Sequence, residues 1–329
     1  MLRKAIFLEM ATSMKGNQSW KTVCIVGFGG HAKSKLLPAL MKANLSLEGI
    51  VSRDKQASIE GVKIFYKISD AIKNLPKNTL FVIASPPDVH YEHAKVLIEA
   101  GRDIFVEKPA LTSLKNSVEL VQLASKKGVV MVEMLMYLEN KTVKESFDEL
   151  KNETNLINSI KFEFLIPSIP QGTYRNESTL GNSLLSDMAC YPLSFLSIAG
   201  YDLSNLNLVS CEKDFNQNTI FVIKGKSKNI DINIKVGHAK EYSNCFSINF
   251  TNNFQTIYKP FFYGRSGYRE IIKINGTEQK CEQVFENNTY EIMFLKKKIE
   301  WIKNQKERLD NLNIVTGCLE HLGRQAGFS

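Results

Sequence analysis

The chain has 329 residues, which is more than one hydrophobic core ordinarily supports, so its length favours two domains, or one large domain with appendages. It is 43% hydrophobic, 10% aromatic and 23% charged, and this near-average composition excludes disordered and low-complexity protein classes. The net charge of +8 is spread along both halves, so no nucleic-acid partner is expected.

Apolar runs and cysteines bear on the cellular location of the protein. No run of about 18 apolar residues occurs, so the sequence predicts no membrane association and no secretion. The six cysteines are widely separated, without Cys-x-x-Cys pairs or histidines at metal-ligand spacing. Free thiols, no bound metal and a cytoplasmic location are therefore expected.

Residues 1–20 show no periodicity, and we expect them to form an extension outside the fold. From residue 21 onward, near-continuous apolar strands alternate with helices, which is typical of a parallel sheet covered on both faces. The pattern predicts a doubly wound, Rossmann-type α/β domain over residues 21–140. Its predicted strands are 21–27, 47–53, 63–67, 79–85, 103–109 and 129–135, and its predicted helices are 31–43, 69–75, 88–100 and 113–127.

The pattern then changes to runs rich in β-branched and aromatic residues, separated by turn residues. It predicts an α+β substrate-binding domain over residues 141–329, with a large, mostly antiparallel sheet. The predicted strands are 159–166, 207–211, 219–225, 229–237, 244–250 and 255–260, and the predicted helices are 182–199, 291–308 and 310–324. The basic triplet at 296–298 is predicted to lie on a solvated helix face.

One face of this sheet has no predicted helix to cover it. Apolar alternation such as Ile232, Ile234 and Val236 would leave an uncovered face apolar and in need of a partner. We therefore expect a homodimer or homotetramer assembled through the C-terminal sheet.

A glycine-rich loop follows the first predicted strand and opens the first helix. Gly27, Gly29 and Ala32 fit the pattern G-x-G-x-x-A, in which the glycines allow a tight turn and close approach of a pyrophosphate. A purely structural strand-to-helix turn is the alternative. The strand-loop-helix context favours dinucleotide binding, for which the candidate residues are Gly27, Phe28, Gly29, Gly30, His31 and Ala32.

The second predicted strand ends where a dinucleotide fold reads the ribose. An acidic residue there would indicate NAD(H), but Ser52 and Arg53 occupy the position. A hydroxyl and a guanidinium suit a 2′-phosphate, so NADP(H) is favoured over NAD(H). Alternatively, Arg53 is a surface charge and Asp54 reads the ribose.

Three further segments share a recognisable pattern. Residues 84–94 contain Ser85, Pro86 and His90; residues 106–110 contain Glu107 and Lys108 before a proline; and residues 180–192 read LGNSLLSDMACYP, with Asp187 and Tyr191. Together these segments resemble the glucose-fructose oxidoreductase and inositol dehydrogenase family (Gfo/Idh/MocA). The likeness extends over roughly residues 21–325, including the order of the domains.

This resemblance implies roles for individual residues. It places Lys108 beside the nicotinamide and the reacting carbon, makes Tyr191 the acid and base, and assigns substrate hydroxyls to Asp187. Ser85, Pro86, His90 and Glu107 would lie on the cofactor side. Tyrosine at this position is typical of the glucose-fructose oxidoreductase, dihydrodiol dehydrogenase and sugar ketoreductase branches, which tend to use NADP.

The residues support the same trio on physical grounds. Asp187 and Tyr191 are four apart on a predicted helix and therefore share a face. A phenol is a poor base at neutral pH unless an ammonium such as that of Lys108 favours its ionised form. The alternatives are that Tyr191 is a core aromatic residue and Asp187 a capping or solvated one. His93 is predicted to be a surface histidine, and no metal is expected at His90 or His93.

The sequence also departs from the family pattern. Asn182 and Ser183 replace two glycines, and residues 137–140 read YLEN where many relatives carry an arginine. Tyr174 and Arg175 could replace that missing substrate-side cation.

These observations predict an NAD(P)-dependent oxidoreductase, with NADP favoured, that acts on a hydroxyl or ketone of a sugar or nucleotide-linked sugar. One alternative is a non-catalytic, cofactor-binding regulatory protein. Another is a reductase of a non-sugar carbonyl or imine, similar to biliverdin reductase.

Overall fold

The computed structural model describes residues 20–54, 56–168, 184–213 and 219–327. Within them lie a six-stranded sheet and an eight-stranded sheet, in that order along the chain. The predicted fold class is confirmed: a Rossmann-type parallel sheet is followed by an α+β domain with a mostly antiparallel sheet. The prediction that residues 1–20 lie outside the fold is wrong for Trp20, which is buried in the N-terminal core and donates its indole N–H to Asp103 at 2.9 Å. The rest of the predicted extension lies outside the described residues.

The N-terminal sheet is parallel throughout, with the strand order β3-β2-β1-β4-β5-β6. Its central strands are apolar at nearly every position and buried on both faces, as the near-continuous apolar runs predicted. The chain order reverses beside β1, where such sheets bind ligands outside their carboxyl ends. The strands are β1 Thr22–Val26, β2 Ser46–Val51, β3 Lys63–Phe65, β4 Leu80–Ile83, β5 Ile104–Glu107 and β6 Met131–Met134.

Helices connect these strands and cover both faces of the sheet. The first, α1, consists of a π-helical turn, Ala32–Leu36, continued by the α-helix Leu37–Lys42. A 3-10 turn at Pro87–Val89 precedes the third helix. The remaining helices of this half are α2 Ile68–Asn74, α3 His90–Glu99 and α4 Leu114–Lys127.

The C-terminal sheet has the order β14-β13-β12-β11-β7-β10-β9-β8, and β7 and β10 are its one parallel pair among the described strands. Its inner face packs against a buried, mostly apolar helix, α6 Leu184–Ile198. Helix α5, Lys141–Asn152, enters the domain before β7. The strands are β7 Ile157–Ile166, β8 Asn207–Lys213, β9 Thr219–Ser227, β10 Ile230–His238, β11 Ser243–Phe250, β12 Phe254–Lys259, β13 Gly267–Asn275 and β14 Glu278–Glu286.

The outer face of this sheet differs from expectation. Ile232, Ile234 and Val236 point inward and are buried in the core beside α6. Their neighbours on β10 point outward and are polar, and Lys235 forms an ion pair with Glu163 of β7 at 3.7 Å. The expectation of an apolar outer face is therefore wrong for the central strands, because the alternation places their polar residues outside. Assembly through this sheet remains a prediction.

The C-terminal helices also differ from the predicted ranges. Instead of 291–308 and 310–324, the structure has α7 Thr289–Leu295 and one long helix, α8 Lys298–Gln325. The chain is extended at Lys296 and Lys297, where the Glu300 carboxylate accepts the Lys297 backbone N–H at 2.8 Å and begins the new helix. Lys296 and Lys298 form ion pairs with the largely buried Glu139 and Asp103, at 2.5 and 2.6 Å, so the triplet is not simply a solvated face.

Candidate active site

A cavity of about 1080 Å³ lies at the carboxyl ends of the parallel strands, between the two domains. This is where a doubly wound sheet holds its ligand. The cavity is lined by residues from the loops after β1, β2, β4 and β5, and by Tyr191 and the 262–265 segment of the C-terminal domain. Twelve predicted cofactor residues line it: Gly27, Phe28, Gly29, Gly30, His31, Ser52, Arg53, Ser85, Pro86, His90, Glu107 and Lys108.

The glycine loop has the geometry that close approach of a ligand requires. Gly27 has φ +91°, and a Cβ there would lie 2.5 Å from the Ser85 backbone nitrogen. A Cβ on Gly29 or Gly30 would meet no atom within 4 Å, so these two residues border open space. Ala32 is fully buried beneath the loop and packs in the core, so it supports the turn rather than lining the cavity. The loop therefore fits a pyrophosphate at the start of α1.

Replacing Gly27 with Ala should destabilise the protein by about 2 kcal/mol or more, because the added Cβ overlaps backbone and the backbone angle is strained for an L-residue. Urea unfolding of the two proteins measures this difference. Gly30→Ala is the matched control, since its Cβ meets nothing and its stability should stay near that of the unmodified protein. Equal stability of all three proteins would contradict the proposed constraint on the turn.

His31 and Glu107 are hydrogen-bonded to each other in the cavity. His31 Nε2 lies 2.8 Å from the Glu107 carboxylate and 3.4 Å from the Tyr290 hydroxyl of α7. Burial opposes ionisation of Glu107, but His31 and Lys108 outweigh it and hold the pKa of that carboxyl below its ordinary value. The pair ties the glycine loop to the end of β5.

Lys108 occupies the centre of the site. Its ammonium donates to the Asp187 carboxylate at 2.6 Å and to the Asp187 backbone oxygen at 2.8 Å. The same ammonium lies 4.5 Å from the centroid of the Tyr191 ring. The side chains of Lys108 and Asp187 are 7% and 5% exposed, so the pair is shielded from water. The three residues predicted to carry the chemistry therefore lie together.

Asp187 and Tyr191 do not face the cavity equally. Tyr191 lines it, whereas the buried Asp187 does not. The expected contact of Asp187 with substrate hydroxyls therefore remains a prediction, while its contact with Lys108 is direct. Tyr174 and Arg175, the other predicted substrate-side residues, lie outside the described residues.

Aromatic rings hold Tyr191 in place. Tyr137, Phe164 and Phe262 have ring centroids 5.6, 5.1 and 5.4 Å from it. The buried Tyr137 hydroxyl donates to the Tyr191 backbone oxygen at 3.1 Å and lies 2.8 Å from the Ser194 hydroxyl. Burial raises the pKa of Tyr137 well above its ordinary value. Tyr137 therefore supports the helix beneath Tyr191 and does not supply the missing cation.

Two histidines behave differently from one another. His90 is 1% exposed, and its ring nitrogens lie 2.7 Å from the Ser85 carbonyl oxygen and 3.2 Å from that of Pro109. It therefore joins the loops after β4 and β5. His93 was predicted to be a surface residue, but it lines the cavity, and its Nδ1 lies 3.0 Å from the Ser85 hydroxyl. Burial lowers the pKa of both rings.

The end of β2 presents the predicted ribose-reading residues. The Ser52 hydroxyl accepts the Asp54 backbone N–H at 3.1 Å, which fixes the turn. Arg53 and Asp54 are both exposed and both line the cavity. The side chains of Arg53 and Asp54 therefore both lie where the ribose-reading residue is predicted.

Several residues of the site were missed because they come from segments without a motif. The 263–265 loop, Asn288 and Tyr290 line the cavity from the far end of the chain. Glu133 of β6 is partly buried and accepts the Ala110 backbone N–H at 2.9 Å. Burial raises the pKa of Glu133 to about 7, although the Ala110 N–H and Lys108 oppose this. In the sequence, the only sign that Glu133 belongs to the site is that it is a charged residue on an otherwise apolar strand.

Residues 21–134 match the family model GFO_IDH_MocA, an oxidoreductase family with an NAD-binding Rossmann fold. Over 109 residues the chain is 28% identical to dTDP-3,4-didehydro-2,6-dideoxy-alpha-D-glucose 3-reductase of Actinomadura kijaniata, which covers 33% of each protein. Over 139 residues it is 33% identical to human biliverdin reductase A, which covers 40% of this chain and 44% of that protein. The chain thus matches about a third to a half of the length of these relatives.

A solved structure of a 3-ketoreductase from Actinomadura kijaniata, in complex with NADP and TDP-benzene, superimposes with a TM-score of 0.78. That match has 15% sequence identity and covers 92% of this chain and 97% of the other, so it establishes a common fold over both domains.

The fold consists of a Rossmann domain, which matches an NAD-binding oxidoreductase family model over residues 21–134, and a C-terminal α+β domain. The match to the Gfo/Idh/MocA family model covers residues 21–134, which is about a third of the chain. No helix in the described ranges is long and apolar enough to cross a membrane.

Proposed function

We propose that the protein catalyses hydride transfer between NADP(H) and a hydroxyl or ketone of a sugar or nucleotide-linked sugar, with Lys108 and Tyr191 as catalytic residues. The arrangement of the Lys108 ammonium against Asp187 and the Tyr191 ring, within the cavity that begins at the glycine loop, carries this proposal. The A. kijaniata relatives support the substrate class, since they are a sugar 3-reductase and a 3-ketoreductase.

In this proposal, Tyr191 would supply the proton and Lys108 would supply the stabilising charge. The nicotinamide, when bound, supplies or accepts the hydride. In the reductive direction Tyr191 would donate a proton to the substrate oxygen, while the Lys108 ammonium stabilises the negative charge that develops there. Asp187 holds Lys108 in position, and the surrounding rings exclude water and keep Tyr191 from turning away.

Cofactor choice rests on the turn after β2. A guanidinium makes charge-assisted hydrogen bonds to a phosphate, so the exposed Arg53 suits a 2′-phosphate. His93 and the Ser85 hydroxyl lie in the same cavity and would add polar contacts on that side. These residues favour NADP(H), whereas Asp54 is the group that would favour NAD(H).

Replacing Arg53 with Ala should weaken NADPH binding about tenfold or more and leave NADH binding nearly unchanged, because the lost charge-assisted contact contributes about 1.5 to 3 kcal/mol. Fluorescence titration of both cofactors against both proteins measures the two effects. Asp54→Ala is the matched control, which should not weaken NADPH. Equal loss for both cofactors, or tighter NADH binding by the unmodified protein, would instead make Asp54 the ribose-reading residue.

The proposal is tested by cofactor oxidation with a panel of substrates. NADPH absorbance is followed with free sugars, nucleotide-linked keto-sugars and non-sugar carbonyls, including a linear tetrapyrrole. Turnover with a keto-sugar supports the proposed function. Turnover confined to the tetrapyrrole would support the alternative that the biliverdin reductase match suggests. A protein that binds NADPH but converts no compound would favour a regulatory role.

A further inference from the structure

Two basic side chains from different domains border the same part of the cleft. Lys35 belongs to the π-helical turn of α1, and Arg265 belongs to the loop between β12 and β13; both line the cavity. Neither is ion-paired with a carboxylate in the described ranges. Burial lowers the pKa of Lys35, and the Arg265 guanidinium lowers it further. The two like charges are therefore close enough to repel each other.

The loop that carries Arg265 is fixed from below. Arg269 of β13 is 1% exposed, and its guanidinium donates to the backbone oxygens of Tyr263 and Arg265 at 3.3 and 2.7 Å. The Asn140 amide also donates to the Tyr263 oxygen, and the Thr289 backbone N–H donates to the Gly264 oxygen at 3.0 Å. Three successive carbonyl groups are thus held by the protein interior. Arg265 therefore projects from a rigid base.

The α1 side of the cleft is tied to the same loop. His31 contacts the Tyr290 ring, with a centroid distance of 5.7 Å, and the neighbouring Thr289 binds Gly264. Lys35 follows His31 by four residues, so the two side chains lie near one face of α1. Lys35 and Arg265 therefore line the same cavity as the glycine loop, one from each domain.

We propose that Lys35 and Arg265 form an interdomain clamp that binds a phosphate group at the edge of the cleft. An anion between the two cations would remove their repulsion and form charge-assisted hydrogen bonds with each. The phosphate has two possible sources, the pyrophosphate of the cofactor or the diphosphate of a nucleotide-linked substrate. The second source rests on the proposed function and would make such substrates, rather than free sugars, the preferred class.

Binding measurements on the full chain test the clamp without requiring turnover. The variants are Arg265→Ala, Lys35→Ala and Arg265→Lys, with Lys224→Ala as the control because Lys224 is an exposed cation on β9, away from the cleft. The first arm measures the NADPH dissociation constant by fluorescence. The second arm measures, by calorimetry on the NADPH-saturated protein, binding of inorganic pyrophosphate and of uridine, thymidine, guanosine and adenosine diphosphates.

Each alanine variant should weaken binding at least tenfold in one arm, Arg265→Lys should weaken it less, and Lys224→Ala should not change it. Loss in the NADPH arm assigns the clamp to the cofactor, and loss in the diphosphate arm assigns it to the substrate. Unchanged binding in both arms, including the case in which no diphosphate binds the unmodified protein, overturns the proposal. Because neither arm involves hydride transfer, failure of the proposed reaction would be recognised separately.

Discussion

Replacing Lys108 with Met should lower turnover by about 100- to 1000-fold, because the change removes an ammonium that contacts both Asp187 and the Tyr191 ring. Methionine has similar length and no charge, so the loss should be mainly in electrostatic stabilisation of the developing oxyanion. We expect the fall in kcat to exceed any rise in KM, since the charge matters most in the transition state. Steady-state kinetics on a substrate identified by the panel measures both constants.

The same change should cost stability, which must be separated from catalysis. Breaking a buried ion pair by removing one partner costs about 3 to 5 kcal/mol, because the Asp187 charge loses the ammonium that balanced it. Lys108→Met combined with Asp187→Asn removes that charge as well. The double variant should regain stability in urea unfolding while its turnover remains low. Recovery of turnover together with stability would mean that Lys108 acts only through the fold.

Replacing Tyr191 with Phe should reduce turnover by roughly a hundredfold, the usual scale for a lost general acid. The substitution removes only the hydroxyl, so the ring contacts with Tyr137, Phe164 and Phe262 remain. NADPH affinity and stability should therefore be nearly unchanged. Tyr201→Phe is the matched control, because Tyr201 is a buried tyrosine of the same domain that does not line the cavity.

Combining Tyr191→Phe with Lys108→Met should be little worse than the poorer single change, because the two residues act on the same proton and the same developing charge. Additive losses would indicate that they serve different steps. Near-normal turnover of Tyr191→Phe would show that this tyrosine is a packing residue, and the acid would then have to be sought elsewhere in the cavity.

The order of strands and helices in the N-terminal half could be predicted from periodicity, because its strands are buried on both faces and read as continuous apolar runs. Hydrophobic periodicity did not predict several elements of the C-terminal half. β13 and β14 were missed; β14 is an edge strand whose residues 278–283 are all exposed, so no face of that stretch records a core. α5 was missed too, and the interruption at 296–297 is invisible in the helical periodicity because it is caused by a local carboxylate contact.

Residues that stand in local motifs could be predicted to lie near one cavity, and most of them do. Gly27, Lys108 and Tyr191 stand in recognisable segments, and the structure places all three around one cavity. His93 was misplaced because a lone histidine on a helix gives no sign of the face that it occupies. Arg265 and Tyr290 could not be found at all, since they approach the glycine loop only through folding of segments more than 200 residues away.

The C-terminal helices have a consequence for how the chain can be divided. Tyr290, Phe294 and Trp301 pack against Phe105 and the other apolar residues on one side of the parallel sheet, while Leu309 and Leu312 of α8 pack on the other side. A fragment that ends near residue 140 would expose both of these surfaces to water. The N-terminal domain therefore needs the last 40 residues to cover its parallel sheet. A fragment made by splitting the gene at the apparent domain boundary should aggregate unless the C-terminal segment is supplied in trans.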